Sequence, residues 1–105
     1  MYKSNISGMG MYVPENVVTN SDLSTMIDTT NEWIVERTGI EERRHIKKGD
    51  GNTTATMGAK AAKIAIEHAD INKNDIDLIL FATLSPDYYF PGSGLIVYTS
   101  KKTTT

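Results

Sequence analysis

Apolar and polar positions alternate along the chain in short blocks that predict elements of mixed type. Ile6, Met9, Met11 and Val13, punctuated by Gly8, Gly10 and Pro14, predict a short strand running into a turn. From Thr19 to Asp28, Leu23, Met26 and Ile27 fall at i, i+3 and i+4 behind Thr19 and Asn20, the pattern of a short helix with a polar cap. A second helix follows at once. Thr29 and Glu32 have the spacing of a capping box, Trp33, Ile34 and Arg37 lie along one side, and Gly39 stands where a left-handed terminator is expected. Residues 40–46 read as a charged edge strand and 47–52 as a polar loop.

The clearest element begins at Thr53 or Thr54 and runs to about Ala69. Met57, Ala61, Ile64, Ala65 and His68 cover one side and Ala59, Ala62, Ile66 and Ala69 another, leaving Lys60, Lys63 and Glu67 as a polar stripe. A helix apolar around most of its circumference is one packed on two sides. The run LILFAT within residues 75–83 lacks alternation, which suits a strand buried on both faces. Helix followed by buried strand predicts an α/β layer structure. Residues 85–94, with Pro86, Pro91, Gly92 and Gly94, read as a loop. Beyond Gly94, LIVY reads as strand and SKKTTT as a polar tail.

Composition narrows the picture. The chain has 105 residues, enough for one modest domain, and no cysteine, which removes disulfides, thiolate metal sites and a cysteine nucleophile. Thirteen acidic against 11 basic side chains exclude the basic surplus of wholesale nucleic-acid or anionic-membrane binding. The longest apolar stretch, residues 76–84, is far short of the ~20 residues a membrane helix needs. The opening residues lack the apolar core of a signal peptide, so a cytoplasmic location is expected.

Candidate chemistry concentrates in one place. Gly8 and Gly10 lack the third glycine of a dinucleotide loop, Val13 standing in its place, and Gly92-Ser93-Gly94 has Pro91 where a nucleophile elbow has its first glycine. His45 and His68 are far apart without carboxylates at ligand spacing, so no metal site is expected. Residues 28–45, DTTNEWIVERTGIEERRH, hold the only tryptophan and all three arginines. Two readings of this stretch stand side by side. Trp33 four residues before Arg37 offers a flat ring beside a fixed cation, suited to an aromatic base and its phosphates. Alternatively Trp33 anchors the helix in a core while Arg37, Arg43 and Arg44 pair with Glu36, Glu41 and Glu42, which pattern alone favours.

The same stretch, with TMGAKAAKIAIEHADI at 56–71, LILFATLSPDYYFPGSG at 78–94 and the opening GMGMYVPENVVTNSDL, resembles the N-terminal part of β-ketoacyl-acyl-carrier-protein synthase III. The resemblance spans residues 1–94, leaving 95–105 as a divergent polar tail, because LIVYTSKKTTT does not match the amphipathic helix that the family continues into. It implies a partial thiolase-like α/β fold, the first strands and helices of that fold's N-terminal half. The implied parent reaction is the fatty-acid-initiating condensation of acetyl-CoA or another acyl-CoA with malonyl-acyl-carrier-protein, with loss of carbon dioxide. The implied partners are acyl-CoA, acyl carrier protein and a second subunit of a homodimer; no cofactor is implied beyond the acyl-CoA substrate.

By the same resemblance Thr29 and Trp33 contact the CoA adenine, Arg37 a CoA phosphate, and Phe90 reaches across the dimer to line the partner's acyl pocket. The family's catalytic cysteine, histidine and asparagine have no counterpart in this chain. The expectation is a polypeptide inactive alone, with a CoA-binding fragment or a synthase-interacting fragment as alternatives. Apolar surface of the 53–69 helix and 76–84 strand is expected to remain exposed. Asp70 replaces the family's glycine at the end of the long helix, at a cost of about 1 kcal/mol if the position is left-handed.

Overall fold

The computed structural model describes residues 1–103, with side chains described to residue 99. The chain divides into two compact units, residues 13–52 and residues 1–12 together with 53 onward. Among the described residues no helix is long and apolar enough to cross a membrane.

The 13–52 unit contains β1 (Val17–Thr19), α1 (Asn20–Ser24), α2 (Asn31–Thr38) and β2 (Glu42–Arg44). β1 and β2 pair antiparallel with Val17 opposite Arg44 and Thr19 opposite Glu42, so the predicted charged strand exists but needs β1 as its partner. Val18 and Ile34 are its buried apolar residues, and Asn20 is buried among them. Thr19 caps α1 as its position predicts. Its hydroxyl accepts from the Asp22 N–H (3.1 Å), and the Asp22 carboxylate accepts from the Thr19 N–H (2.8 Å).

The first predicted helix is shorter than expected, ending at Ser24 instead of Asp28. The Ser24 and Thr25 hydroxyls donate to the carbonyls of Ser21 and Asp22 (2.7 and 2.6 Å), and the Thr25 N–H also goes to Asp22, tightening the last turn. Met26 and Ile27 are left exposed. The cap of α2 is Thr30, whose hydroxyl accepts from the Trp33 N–H (3.2 Å), and not Thr29. That places Glu32 one position too early to close a capping box. Gly39 ends α2 at φ 71°, as predicted, and its N–H donates to the Val35 carbonyl at 2.8 Å.

The second unit is built on α3 (Thr54–Ala69), with a 3-10 turn at Lys73–Asp75 and α4 (Ser93–Thr103). α3 has the predicted limits and is capped by Thr53, which shares reciprocal hydrogen bonds with Thr56. Two sides of it are covered, as its pattern predicts. On one side residues 8–10 lie so close that a Cβ on Gly8 would strike Ala65 and Ala69, and one on Gly10 would strike Ala61 and Ala65. The Met9 N–H donates to Nδ1 of His68 (3.1 Å). On another side the Phe81 ring and the Val97 side chain cover Gly58.

Three predictions fail in this unit. Residues 6–13 form no strand, and neither do residues 76–84. Neither stretch has a ladder partner among the described residues, and extended chain without a partner is not a strand. Burial alternates over 78–81, where Ile79 and Phe81 are half-buried and Leu78 and Leu80 are 73% and 87% exposed. The expected burial on both faces is therefore burial on one. The third failure is LIVY, which lies within α4 and is no strand; the supposed tail is helical to Thr103, and 104–105 fall outside the described residues. Ser93 and Val97, four residues apart, are both buried, and α4 packs on α3. Packing of one helical face overrides the strand propensity of Ile96 and Val97.

Asp70 caps α3 in the left-handed region (φ 52°, ψ 45°), its N–H directed at the carbonyls of Ile66 and Glu67. Asp70→Gly is expected to raise stability by about 1 kcal/mol by relieving the side chain of a left-handed backbone. Gly10→Ala should lower it by about 1–3 kcal/mol through overpacking against α3. Urea unfolding followed by circular dichroism checks both, and an unchanged midpoint for either would contradict the packing described.

Candidate functional site

α2 carries the side chains that pattern and spacing single out. Its start is set by the Thr30 cap and its end by Gly39, so Trp33 and Arg37, four apart, lie on one helical face. The Arg37 guanidinium carbon sits 4.9 Å from the Trp33 ring centroid, a cation–π pair. Trp33 remains 53% exposed, which overturns its reading as a core anchor; Ile34 next to it is the buried residue of α2.

Asp28, Thr29, Thr30 and Trp33 line a cleft of about 250 Å³. Thr29 lines this cleft, and its hydroxyl, which was expected to cap the helix, is buried with no hydrogen-bond partner. The structure thus brings Thr29 and Trp33 together at one cleft and places Arg37 against the ring. The other two arginines do not join them, nor do they take the predicted glutamate partners in the bonds they make. Arg43 donates to the Val18 carbonyl (3.3 Å) and to Oδ1 of Asn20 (2.6 Å), and Arg44 to the Pro14 carbonyl (3.0 Å).

Phe90 belongs to the other unit, in the 85–94 loop, and is 92% exposed. That loop is held by a residue the sequence reading passed over. The Asp87 carboxylate accepts from the N–H groups of Thr54 (2.9 Å) and Ala55 (2.8 Å), two amides that α3 cannot satisfy itself. The Thr54 hydroxyl donates to the Ser85 carbonyl (2.7 Å), and the Asp87 N–H donates to the buried Ser93 hydroxyl at the start of α4 (3.3 Å). An aspartate in a proline turn, with an uncapped amide pair elsewhere, leaves no local signal of this pairing. Ile79, Phe81, Tyr88, Leu95 and Tyr98, with Asp77 and Thr83, line a wider hollow beside the loop.

No family model matches the chain. Over 92 residues it is 55% identical to β-ketoacyl-acyl-carrier-protein synthase III of Sulfurimonas denitrificans, a stretch amounting to 87% of this chain and 27% of that enzyme. These residues are homologous to a segment of β-ketoacyl-acyl-carrier-protein synthase III. The synthase of a Sulfurovum species is 56% identical over 90 residues, 85% of this chain and 26% of the enzyme. Among solved structures, 3-oxoacyl-acyl-carrier-protein synthase III of Aquifex aeolicus superposes with a TM-score of 0.85 at 42% identity, covering 94% of this chain and 31% of that one. The Thermus thermophilus synthase III matches at 0.80 and 36% identity, covering 92% and 30%. The chain therefore has a partial thiolase-like fold and spans less than a third of the length of these relatives.

Hydrogen bonds to its charged form, first that from the Ala55 N–H and then that from the Thr54 N–H, hold the Asp87 carboxyl below its ordinary value, against the opposing effect of burial. A carboxyl depressed by folding contributes stability that is complete above the unfolded value and lost as pH falls through the folded one. The loop's near-ultraviolet tyrosine signal is therefore expected to be flat from neutral pH down to about pH 4 and to collapse below it. Asp87→Asn should show a weakened signal at pH 7 and no such acid step; an acid step identical to that of the parent chain would contradict the clamp.

Proposed function

We propose that this chain is the coenzyme A-facing segment of a fatty-acid-initiating ketoacyl synthase. The parent reaction is the decarboxylative condensation of an acyl-CoA with malonyl-acyl-carrier-protein, carried out in the cytoplasm by a homodimer without a resident cofactor. The observation that carries this reading is the cleft on α2, where an exposed indole, a guanidinium over it and an unpartnered buried hydroxyl lie together. An adenine stacks on the exposed part of the Trp33 ring, with Thr29 beside it in the lining of the same cleft. The Arg37 guanidinium takes a phosphate of the nucleotide, and its fixed planar fork suits that oxygen geometry. Phe90 is the acyl-pocket and dimer contact, a role supported by an aromatic ring left almost wholly in solvent.

The condensation itself needs a nucleophile to accept the acyl group, and these 105 residues contain no cysteine to ionise and attack a thioester. The chain by itself is expected to show no acyl-CoA:malonyl-carrier condensation, checked by release of labelled carbon dioxide. CoA titrated into it should quench Trp33 fluorescence with a dissociation constant in the millimolar range. Arg37→Ala should weaken that binding about tenfold, the loss of one charge-assisted contact. An emission unchanged up to several millimolar CoA would overturn the reading. A second reading, a fragment that joins a full-length synthase, is favoured by the exposed Leu78, Leu80 and Phe90 side chains. Co-purification with such a synthase tests it.

A further inference from the structure

We infer that Asn20 is a positioning residue for the CoA-facing cleft: its side-chain amide ties both ends of α2 to the rest of its unit and so sets where Trp33 and Arg37 stand against Thr29. The inference rests on the function proposed for that cleft. Asn20 is 1% exposed, in a position where an unsatisfied amide would be costly, and every polar group of its side chain is engaged. Its Nδ2 donates to Oδ1 of Asn31 (2.9 Å), the first residue of α2, and to the carbonyl of Ile40 (2.7 Å), the residue after the Gly39 terminator. Its Oδ1 accepts from Nη2 of Arg43 on β2 (2.6 Å), and its own N–H donates to the Glu41 carbonyl (3.1 Å).

Chemistry fixes the orientation of this amide. A guanidinium only donates and a backbone carbonyl only accepts, so the oxygen must face Arg43 and the nitrogen Ile40. The consequence for the cleft is geometric. One wall, Asp28 to Thr30, lies on the connection between α1 and α2, and the other is Trp33, two residues past Asn31. The stacked Trp33–Arg37 pair is internal to α2 and moves with it as a unit. The spacing between ring and Thr29 therefore depends on what holds the helix at its two ends, and Asn20 holds both. Buried asparagines that serve packing alone have no reason to contact the two ends of a ligand-bearing helix with the same nitrogen.

Asn20→Asp tests this at constant size. It keeps the Arg43 partner but replaces both Nδ2 donors with an oxygen. Asn31 can rotate its amide to meet the change, whereas the Ile40 carbonyl cannot, so the trailing end of α2 is released. CoA affinity, read by Trp33 quenching in the full chain, is expected to fall about fivefold, the worth of one hydrogen bond. Asn31→Ala, at an exposed position, removes only the leading tie and should weaken CoA about twofold to fivefold while the circular dichroism spectrum stays unchanged.

Val18→Ala, buried in the same unit, provides the control for stability without touching either tie. It should lower the melting temperature yet leave CoA affinity within about twofold, because its effect is loss of buried apolar volume. Unchanged CoA affinity in Asn20→Asp and Asn31→Ala, or an equal loss in Val18→Ala, would overturn the positioning role. If the parent chain gives no CoA response, the proposed function fails instead. Asn20 is then judged by acrylamide quenching of Trp33, which should rise in Asn20→Asp; an identical quenching constant would overturn its hold on α2.

Discussion

Backbone N–H groups that a helix cannot pair with its own carbonyls are the constraint around which the described structure is arranged. The ordered sheet is a single pair of three-residue strands, so few of these groups find partners in a ladder. Side chains take the place of strands. Thr30 meets the amide of Trp33, Thr53 that of Thr56, and Asp87 those of Thr54 and Ala55 from a loop more than thirty residues along the chain. Threonine caps of this kind are each worth about 1 kcal/mol. Residues 77–84 belong to no sheet among the described residues, and Leu78, Leu80 and Leu84 face water.

What could be read in the sequence follows the range of the interactions involved. α3 was legible to within a residue because its cap, its period and its two apolar sides are all local. Gly39 was legible for the same reason, ending α2 in the left-handed region, whereas Asp70 was marked only by the resemblance and its left-handed backbone is a finding of the structure. The cap of α2 was misplaced by one position, since Thr29 and Thr30 carry the same hydroxyl and only the direction of the incoming chain decides between them. The strands expected at 6–13 and 76–84 depended on neighbours that no local pattern reveals. LIVY shows the opposite failure, with β-branched residues drawn into a helix by the buried face of Ser93 and Val97.

The candidate site divides along the same line. The spacing of Trp33 and Arg37 allows the cation to stand over the ring, a local relation, but pattern alone favoured a buried Trp33, and only its exposure decides between the two readings. Thr29 was expected both as the cap of α2 and, through the resemblance, at the site; it lines the cleft and does not cap the helix. Asn20 and Asp87 were invisible as working residues. Their partners lie between eleven and thirty-three residues away, and nothing in the adjacent sequence marks them as bridges. Local pattern thus locates the ring and cation of the candidate site, while the groups that hold α2 and the 85–94 loop are found only in three dimensions.

The close approach of Gly8 and Gly10 to α3 carries a consequence for register. Two residues of extended chain advance about 6.6 Å and four residues of α-helix about 6.0 Å, so the two repeats are nearly commensurate. One step along Gly-x-Gly therefore matches one step along the row Ala61, Ala65, Ala69, with the chain running against the helix. A single glycine would fit any alanine of that row, leaving the segment free to slip by whole turns. A pair fits only one alignment: a slip of one step brings either Ile6 or Tyr12 onto a backbone that accepts no more than hydrogen. Two missing side chains act as a vernier, selecting one of several otherwise equivalent positions.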